Sequence, residues 1–375
     1  MTDQSSARET MGAVRRLGLP LLVWGCAAAT VAIAATAFGH EPWDSSTWAR
    51  WDSGLYEDIA RDGYDLFPCE EEPDKWCGDA GWFPAYAWIN GALHAFGLPL
   101  QGVSAIVAWL LAAGTIVVLW ATFLERRGDA AAVAALVYAA FAPGQIYHYA
   151  IFPLSLYAIA AIGCLWFVYR GRYVLGGLLG AVAALAYPAG LLLAPVVGAW
   201  LLIQRSAPVD ERLRRVAIAC GLIVGAAWLF VVDQRLETGH WDAYLLIQKK
   251  YEHEWQNPLG ATWDMLTGDW RGAIGIAVAL QTALVTLLLV LVLVRSVRAR
   301  VGLASADALV LLWALATWAL PLSQTGVSAQ RGQATLLPLA ILVARLPARV
   351  AWPIALTAAA LAVWMEHYFL DSTLF

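Results

Sequence analysis

Trp48-Ala49-Arg50-Trp51-Asp52-Ser53-Gly54-Leu55-Tyr56-Glu57-Asp58-Ile59-Ala60-Arg61-Asp62-Gly63-Tyr64 follows the first long apolar run of the chain and sets large apolar side chains among carboxylates. At about 3.6 residues per turn the spacing predicts a helix lying in a membrane interface, with Trp48, Trp51, Leu55 and Ile59 on one face and Glu57, Asp58, Arg61 and Asp62 pointing elsewhere. Asp52 and Tyr56 are four residues apart and sit together. Asp52 also follows Trp51 directly, so it falls at the border between the apolar face and the wet one. There a carboxylate is partly dehydrated yet reachable, the setting that a catalytic base needs. An interfacial helix with merely solvated acids has the same spacing.

Outward from this stretch the chain is apolar almost throughout. Its 375 residues are 61% hydrophobic and 14% charged, with 20 Trp, and the mean hydropathy is +0.62. Soluble domains carry roughly 25% charged residues, so the composition predicts an all-α polytopic membrane protein, a single integral membrane domain over residues 1–375. The net charge of -4 is divided between two sides of a bilayer and indicates no partner; there is no basic tract for nucleic acid. Cys26, Cys164 and Cys220 lie in apolar runs and read as small core residues. Cys69 and Cys77 share one polar loop, where a disulfide and a free pair are both open. The run from Leu17 to Phe38 behind Arg15 and Arg16 is too long for a signal-peptide core and reads as a spanning helix.

Segments long enough to cross fall near 17–38, 103–124, 129–147, 150–169, 173–188, 190–204, 215–235, 272–295, 305–321, 333–346 and 349–369, about eleven in all. A further apolar piece, Trp82 to Phe96, is short and interrupted by Asn90 and His94. Charge decides its reading. If it does not cross, Arg8, Arg15, Arg16, Arg126, Arg127, Arg170, Arg172, Arg205, Arg212, Arg214, Arg215, Arg295, Arg298, Arg300, Arg345 and Arg349 all fall on one side, which the positive-inside rule makes cytoplasmic. The N-terminus is then cytoplasmic, and residues 39–101 form an extracytoplasmic loop with interfacial helices ahead of the remaining spans in 102–375.

With that topology the unusual polar residues share the extracytoplasmic face: Asp52, Tyr56, Asp79, His148, Gln248, Lys249, Lys250, His253, Gln324 and Arg331. Ionisable groups at membrane depth usually face a bundle interior, which predicts an outward-facing cavity. Helices ending on the same side are broken at Pro143-Gly144, Phe152-Pro153 and Pro188-Ala189-Gly190. Irregular backbone survives at that depth only inside protein or beside water. No repeat of fixed period and no similarity between halves is present.

The stretch Arg50 to Tyr64, with its Trp51-Asp52 pair, Tyr56, Ile59-Ala60 and Gly63-Tyr64, closely resembles the opening loop of the PIG-V family of GPI mannosyltransferases and their bacterial relatives. Trp82-Phe83-Pro84-Ala85-Tyr86 is similar to that family's Phe-Phe-Pro-x-Tyr-Pro segment, with Trp82 and Ala87 as departures. Ala142-Pro143 and Phe152-Pro153-Leu154-Ser155-Leu156 resemble its Pro, then Tyr-Ser-Glu-Ser-Leu, with Leu154 in place of the Glu. Tyr187-Pro188-Ala189-Gly190 stands where relatives often have Arg-Pro-x-Gly. Gln248, Trp255 and Pro258 resemble the Gln-Trp-Pro loop. Ser328 to Gln333 looks like the late Ser-x-x-Arg-Tyr segment, with Gly332 for the Tyr. The resemblance runs over about residues 43 to 340 and is strongest at the first motif.

The resemblance implies a GT-C fold and transfer of a sugar, mannose in most of the family, from a polyprenyl-phosphate donor to an acceptor hydroxyl, in a bacterial cytoplasmic membrane. The acceptor would be a cell-envelope glycolipid or glycan, or a secreted protein. A phosphate leaving group needs no proton, so one carboxylate suffices as base and the anomeric carbon inverts; glycoside hydrolysis needs two carboxyls. Asp52 is the candidate base, with Glu57 and Asp58 behind it. Arg331 is the candidate for holding the leaving phosphate, ahead of Lys249, Lys250 and His148. Tyr56, Tyr86 and Gln248 are candidates for sugar or acceptor hydroxyls, and Trp51 and Trp82 for packing on the pyranose. Asp79 together with Asp52 is a possible divalent metal site. A flippase of lipid-linked sugars would also want an outer cavity, but with ionisable groups deep inside several spans. A non-catalytic relative would account for Leu154 and Tyr187.

Overall fold

The computed structural model describes residues 2–251, 256–267, 272–323 and 329–371; His253, Trp255, Gln324 and Ser328 lie outside the described residues. Helix α1 (Thr2–Ala37) leads into the first loop, which holds α2 (Ser53–Asp62), an antiparallel hairpin of β1 (Leu66–Pro68) and β2 (Trp76–Gly78), and α3 (Ala85–His94). Next come α4 (Leu100–Leu119), α5 (Ala130–Ala140), the single turn α6 (Ile146–Tyr149), α7 (Leu154–Tyr169) and α8 (Tyr173–Ala186). Helices α9 (Leu193–Ile203) and α10 (Val209–Thr238) precede the short α11 (Ala243–Lys250) and α12 (Pro258–Thr267). The chain closes with α13 (Gly272–Arg298), α14 (Ala306–Leu322), α15 (Ala329–Ala334), α16 (Ala340–Val343) and α17 (Ala348–Leu370).

Among the described residues, five helical stretches are long and apolar enough to cross a membrane: Arg16–Ala37, Leu100–Leu124, Val209–Thr238, Gly275–Arg298 and Ala348–Leu370. Five shorter apolar stretches accompany them: Ala130–Ala140, Leu154–Tyr169, Tyr173–Ala186, Pro188–Ile203 and Ala306–Leu322. With the broken segment of α15 and α16, they match the expected span positions. The short ones are those interrupted by Pro and Gly. Helix α5 stops before Pro143-Gly144, where Gly144 takes a φ of 81°. Helix α8 stops at Tyr187, whose extended backbone is what the following Pro188 demands. The interior is close-packed between these pieces: a Cβ on Gly177 would come within 2.9 Å of the Ala219 carbonyl, so α8 and α10 approach backbone to backbone.

Helix α3 occupies most of the segment from Trp82 to Phe96. Its ten residues rise roughly 15 Å, about half of a hydrocarbon core. It lies on α2, where Gly91 admits the Ala60 carbonyl at a distance of 2.5 Å from where a Cβ would sit. Cys69 and Cys77 form a disulfide across the hairpin, with Cα atoms 5.1 Å apart.

The apolar face expected for α2 is different in the structure. Trp51 adopts a φ of 53° and interrupts helical backbone, so the helix begins at Ser53. Its buried face is Ser53, Tyr56 and Ile59, while Trp51 is exposed and Leu55 half-buried. Trp48, upstream of the interruption, is buried separately: its indole N–H donates to the Pro42 carbonyl at 3.0 Å and its ring meets Trp109 edge-on.

Candidate active site

Asp52 occupies the N-cap position of α2 but makes no side-chain cap hydrogen bond. An N-cap carboxylate ordinarily accepts from the first turn of its own helix. Here it is turned outward and forms an ion pair with Arg331, 279 residues later in the chain. The left-handed Trp51 immediately before it sets the direction; strained backbone of this kind, in a bulky residue, is held only where surrounding structure dictates it. Both partners are partly open, with side-chain exposures of 21% for Asp52 and 22% for Arg331.

Arg331 is positioned by three helices. Gly332 lets α15 press on α14: a Cβ there would lie 2.6 Å from the Pro321 ring. From α13, the fully buried Gln281 donates to the Gln330 carbonyl at 3.0 Å and the Pro143 carbonyl at 3.3 Å, and Thr282 accepts from the Gln333 amide at 2.8 Å. The guanidinium carbon stands 5.7 Å from the centre of the Phe152 ring, a cation over an aromatic face.

The ion pair opens on a cavity of about 590 Å³. Trp51, Tyr56, Trp82, Phe152, Tyr187, Tyr244 and Tyr251 supply aromatic walls, and Gln248 reaches in from α11. Pro188, Leu191, Leu192 and Leu320 form an aliphatic part of the lining. Gly81 brings α11 close, since a Cβ there would meet Ile247 at 2.6 Å and the Gln248 amide at 3.3 Å. Burial raises the Tyr56 phenol well above its ordinary range, so it stays protonated and is a hydrogen-bond donor rather than a base. Among the described residues, one carboxylate and one guanidinium are the charged groups of this lining. The breaks near Pro143, Pro153 and Pro188 converge on it through Tyr147, Phe152, Tyr187 and Pro188.

The other sequence candidates divide. Trp51, Trp82, Tyr56 and Gln248 line the cavity with Asp52 and Arg331. Tyr86 does not: it is fully buried, donates its hydroxyl to the Ser104 carbonyl at 2.6 Å, and stands edge-on beneath Tyr56 at 6.0 Å. His148 is buried away from the cavity, its ring nitrogens 3.2 Å from the Ser155 hydroxyl and 3.3 Å from the Ala334 carbonyl. Lys249 is exposed outside the lining, and Lys250 stands 3.2 Å from the Cys77 sulfur. Burial raises the half-buried Glu57 above the usual carboxylate range, and Asp58 pairs with Arg61 at 3.2 Å on the wet face.

A divalent metal does not fit these residues. Asp52 is committed to Arg331, and Asp79 is buried and accepts from the Asp65 backbone N–H at 2.7 Å instead of facing the cavity. No group of three or more His, Cys, Asp or Glu gathers among the described residues.

Several lining residues escaped the sequence reading. Tyr147, Tyr244 and Tyr251 sit in aromatic-rich surroundings that do not distinguish them, and Tyr187 registered only as a missing cation. Gln281 gave one usable sign, an amide inside an apolar span. Glu366, fully buried on α17 against the Gln145 amide, carried the same sign.

Among solved structures the chain is similar to ArnT from Cupriavidus metallidurans bound to undecaprenyl phosphate, at 14% identity and a TM-score of 0.54, covering 93% of this chain and 76% of that one. It is also similar to the Archaeoglobus fulgidus oligosaccharyltransferase AglB in complex with an inhibitory peptide and a dolichol-phosphate, at 13% identity and a TM-score of 0.49. That alignment covers 94% of this chain and 56% of AglB, so the chain spans about half of the longer protein. No family model and no curated protein matches the sequence. The molecule is an all-α integral membrane protein of the GT-C fold.

Proposed function

We propose that the protein is a membrane glycosyltransferase that moves a sugar, mannose in the first instance, from a polyprenyl-phosphate donor to an acceptor hydroxyl on a glycan, glycolipid or protein. The observation that carries this reading is the meeting of Asp52 and Arg331 at one aromatic-walled cavity. The first-loop motif and the ArnT-like fold support the same class, and the Cys69–Cys77 bond supports a first loop facing an oxidising, extracytoplasmic compartment.

Arg331 is held ready for an anion. When the donor phosphate arrives it takes over the guanidinium, which releases the Asp52 carboxylate. The acceptor hydroxyl then attacks the anomeric carbon from the face opposite the phosphate. Its proton passes to Asp52 as the new C–O bond forms, and the bond to phosphate breaks with its electron pair going to the phosphate oxygen. The configuration inverts, and the charge developing on the leaving phosphate is met by Arg331. Tyr56 and Gln248 bind sugar hydroxyls, Trp51 and Trp82 pack on the pyranose, and the aliphatic stretch at Leu191, Leu192 and Leu320 takes the start of the lipid chain.

The test is Asp52→Asn in purified protein supplied with polyprenyl-phosphate mannose and a membrane glycolipid fraction. A positioned base contributes about 10²–10⁴ in rate, and a loss of that size with an unchanged melting profile is expected. Ordinary turnover by the variant would sink the assignment.

A further inference from the structure

At the end of the bundle opposite the Asp52 cavity, two pockets adjoin. The first, of about 190 Å³, is lined by Arg127, Arg295 and Arg345 with Asp307. The second, of about 390 Å³, is lined by Trp200, Leu293, Leu303, Leu311 and Leu315, with Arg300 among them. Ser296 and Val301 belong to both, so the polar pocket opens directly onto the apolar one. Helix α14, whose other end reaches the cavity at Leu320, has 17 residues and so sets the two sites roughly 25 Å apart.

We infer that this double pocket binds an anionic phospholipid, the phosphate headgroup among the arginines and an acyl chain along the tryptophan and leucines. A positive-inside bias needs only arginines somewhere in the loops on one side. Here they come from the loop after α4, the end of α13, the turn before α14 and the turn before α17, and converge on one concavity. Two are fixed in advance: Arg345 by Asp307 at 2.8 Å and Arg127 by Asp129 at 3.0 Å. Arg295 and Arg300 make no ion pair among the described residues. Arg300 holds a left-handed φ of 50°, strained backbone beside the shared wall. The four guanidinium groups have two carboxylates between them, Asp307 on Arg345 and Asp129 on Arg127, which leaves a surplus of positive charge. The ammonium of a zwitterionic headgroup would therefore be repelled by the surplus guanidinium charge, whereas an anionic headgroup such as phosphatidylglycerol brings its phosphate with no cation to be repelled. Basic pockets between helices next to lipid tails are suited to such headgroups. The site shares no residue with the proposed transferase chemistry and stands or falls apart from it.

The full chain in detergent, titrated separately with phosphatidylglycerol, phosphatidylethanolamine and inorganic phosphate, is read by native mass spectrometry. Phosphatidylglycerol is expected to bind at least about tenfold more tightly than phosphatidylethanolamine. That preference is expected to vanish in the Arg295→Gln/Arg300→Gln double variant. Ser296→Trp, which keeps every arginine and fills the shared wall, is expected to abolish lipid binding as well; size-exclusion profiles identify either variant that fails to fold. Equal retention of the two lipids, or a preference that survives in folded forms of both variants, overturns the proposal. Inorganic phosphate competing as well as phosphatidylglycerol would make this a free-anion site and likewise overturn the lipid assignment.

Discussion

Asp52 and Arg331 carry the account at the scale of single residues. Each was readable for a separate reason: the acid from its place beside Trp51 at an amphipathic border, the cation from its place on the shared polar face in the Ser328 to Gln333 segment. Their direct pairing was not readable, because it depends on how α15 is held by Gln281, Thr282 and Pro321, contacts that no local spacing encodes. Tyr86 and His148 lie off the cavity for the same reason in reverse, since neighbours inside the bundle engage their polar groups. Arg331→Lys keeps the charge but loses the planar fork that can serve carboxylate and phosphate in turn. It is expected to lower kcat by about 10²-fold, the scale of removing one preorganised donor to a developing oxyanion. Lys249→Ala, outside the lining, is expected to leave kcat within about twofold; the two variants are compared by steady-state transfer to the same acceptor.

At the scale of elements, the breaks in the helices and the glycines between them position the cavity. The sequence signals for the breaks were strong, since Pro and Gly punctuate helices by local chemistry. The start of α2 was less legible: its period fitted a longer amphipathic helix, and only the left-handed Trp51 shows that Trp48 belongs to another contact. Gly332 has its reason in the packing, because any side chain would meet Pro321. Gly332→Ala is expected to cost about 1–3 kcal/mol through overpacking, visible as a lowered Tm, and to depress transfer further by shifting Arg331. The loop under α2 has its own pH signature. Burial pushes the Asp79 carboxyl from 3.8 up to about 7, so folding favours its neutral form. The resulting stabilisation is complete below the unfolded value and is lost as pH rises through about 7. Tm is therefore expected to fall more between pH 5 and pH 8 in the wild type than in Asp79→Asn, as followed by thermal denaturation in detergent at both values.

At the scale of the whole molecule, composition and charge were enough for the class, and the count and order of spans followed from apolar length. What composition could not supply was the second basic site near α14 and the buried Glu366, because a polar residue in an apolar run declares a partner without naming it. The central claim is that the cavity at α2 and α15 receives a polyprenyl-phosphate sugar, with Arg331 on the phosphate and the Asp52 position on the opposite side of the anomeric carbon. The most direct test is a structure of Asp52→Asn with polyprenyl-phosphate mannose bound. A phosphate oxygen within about 3 Å of the Arg331 guanidinium, with the substituted carboxamide facing the anomeric carbon from the other side, is the expected result. A donor whose phosphate lies away from Arg331, or whose sugar sits outside this cavity, would contradict it.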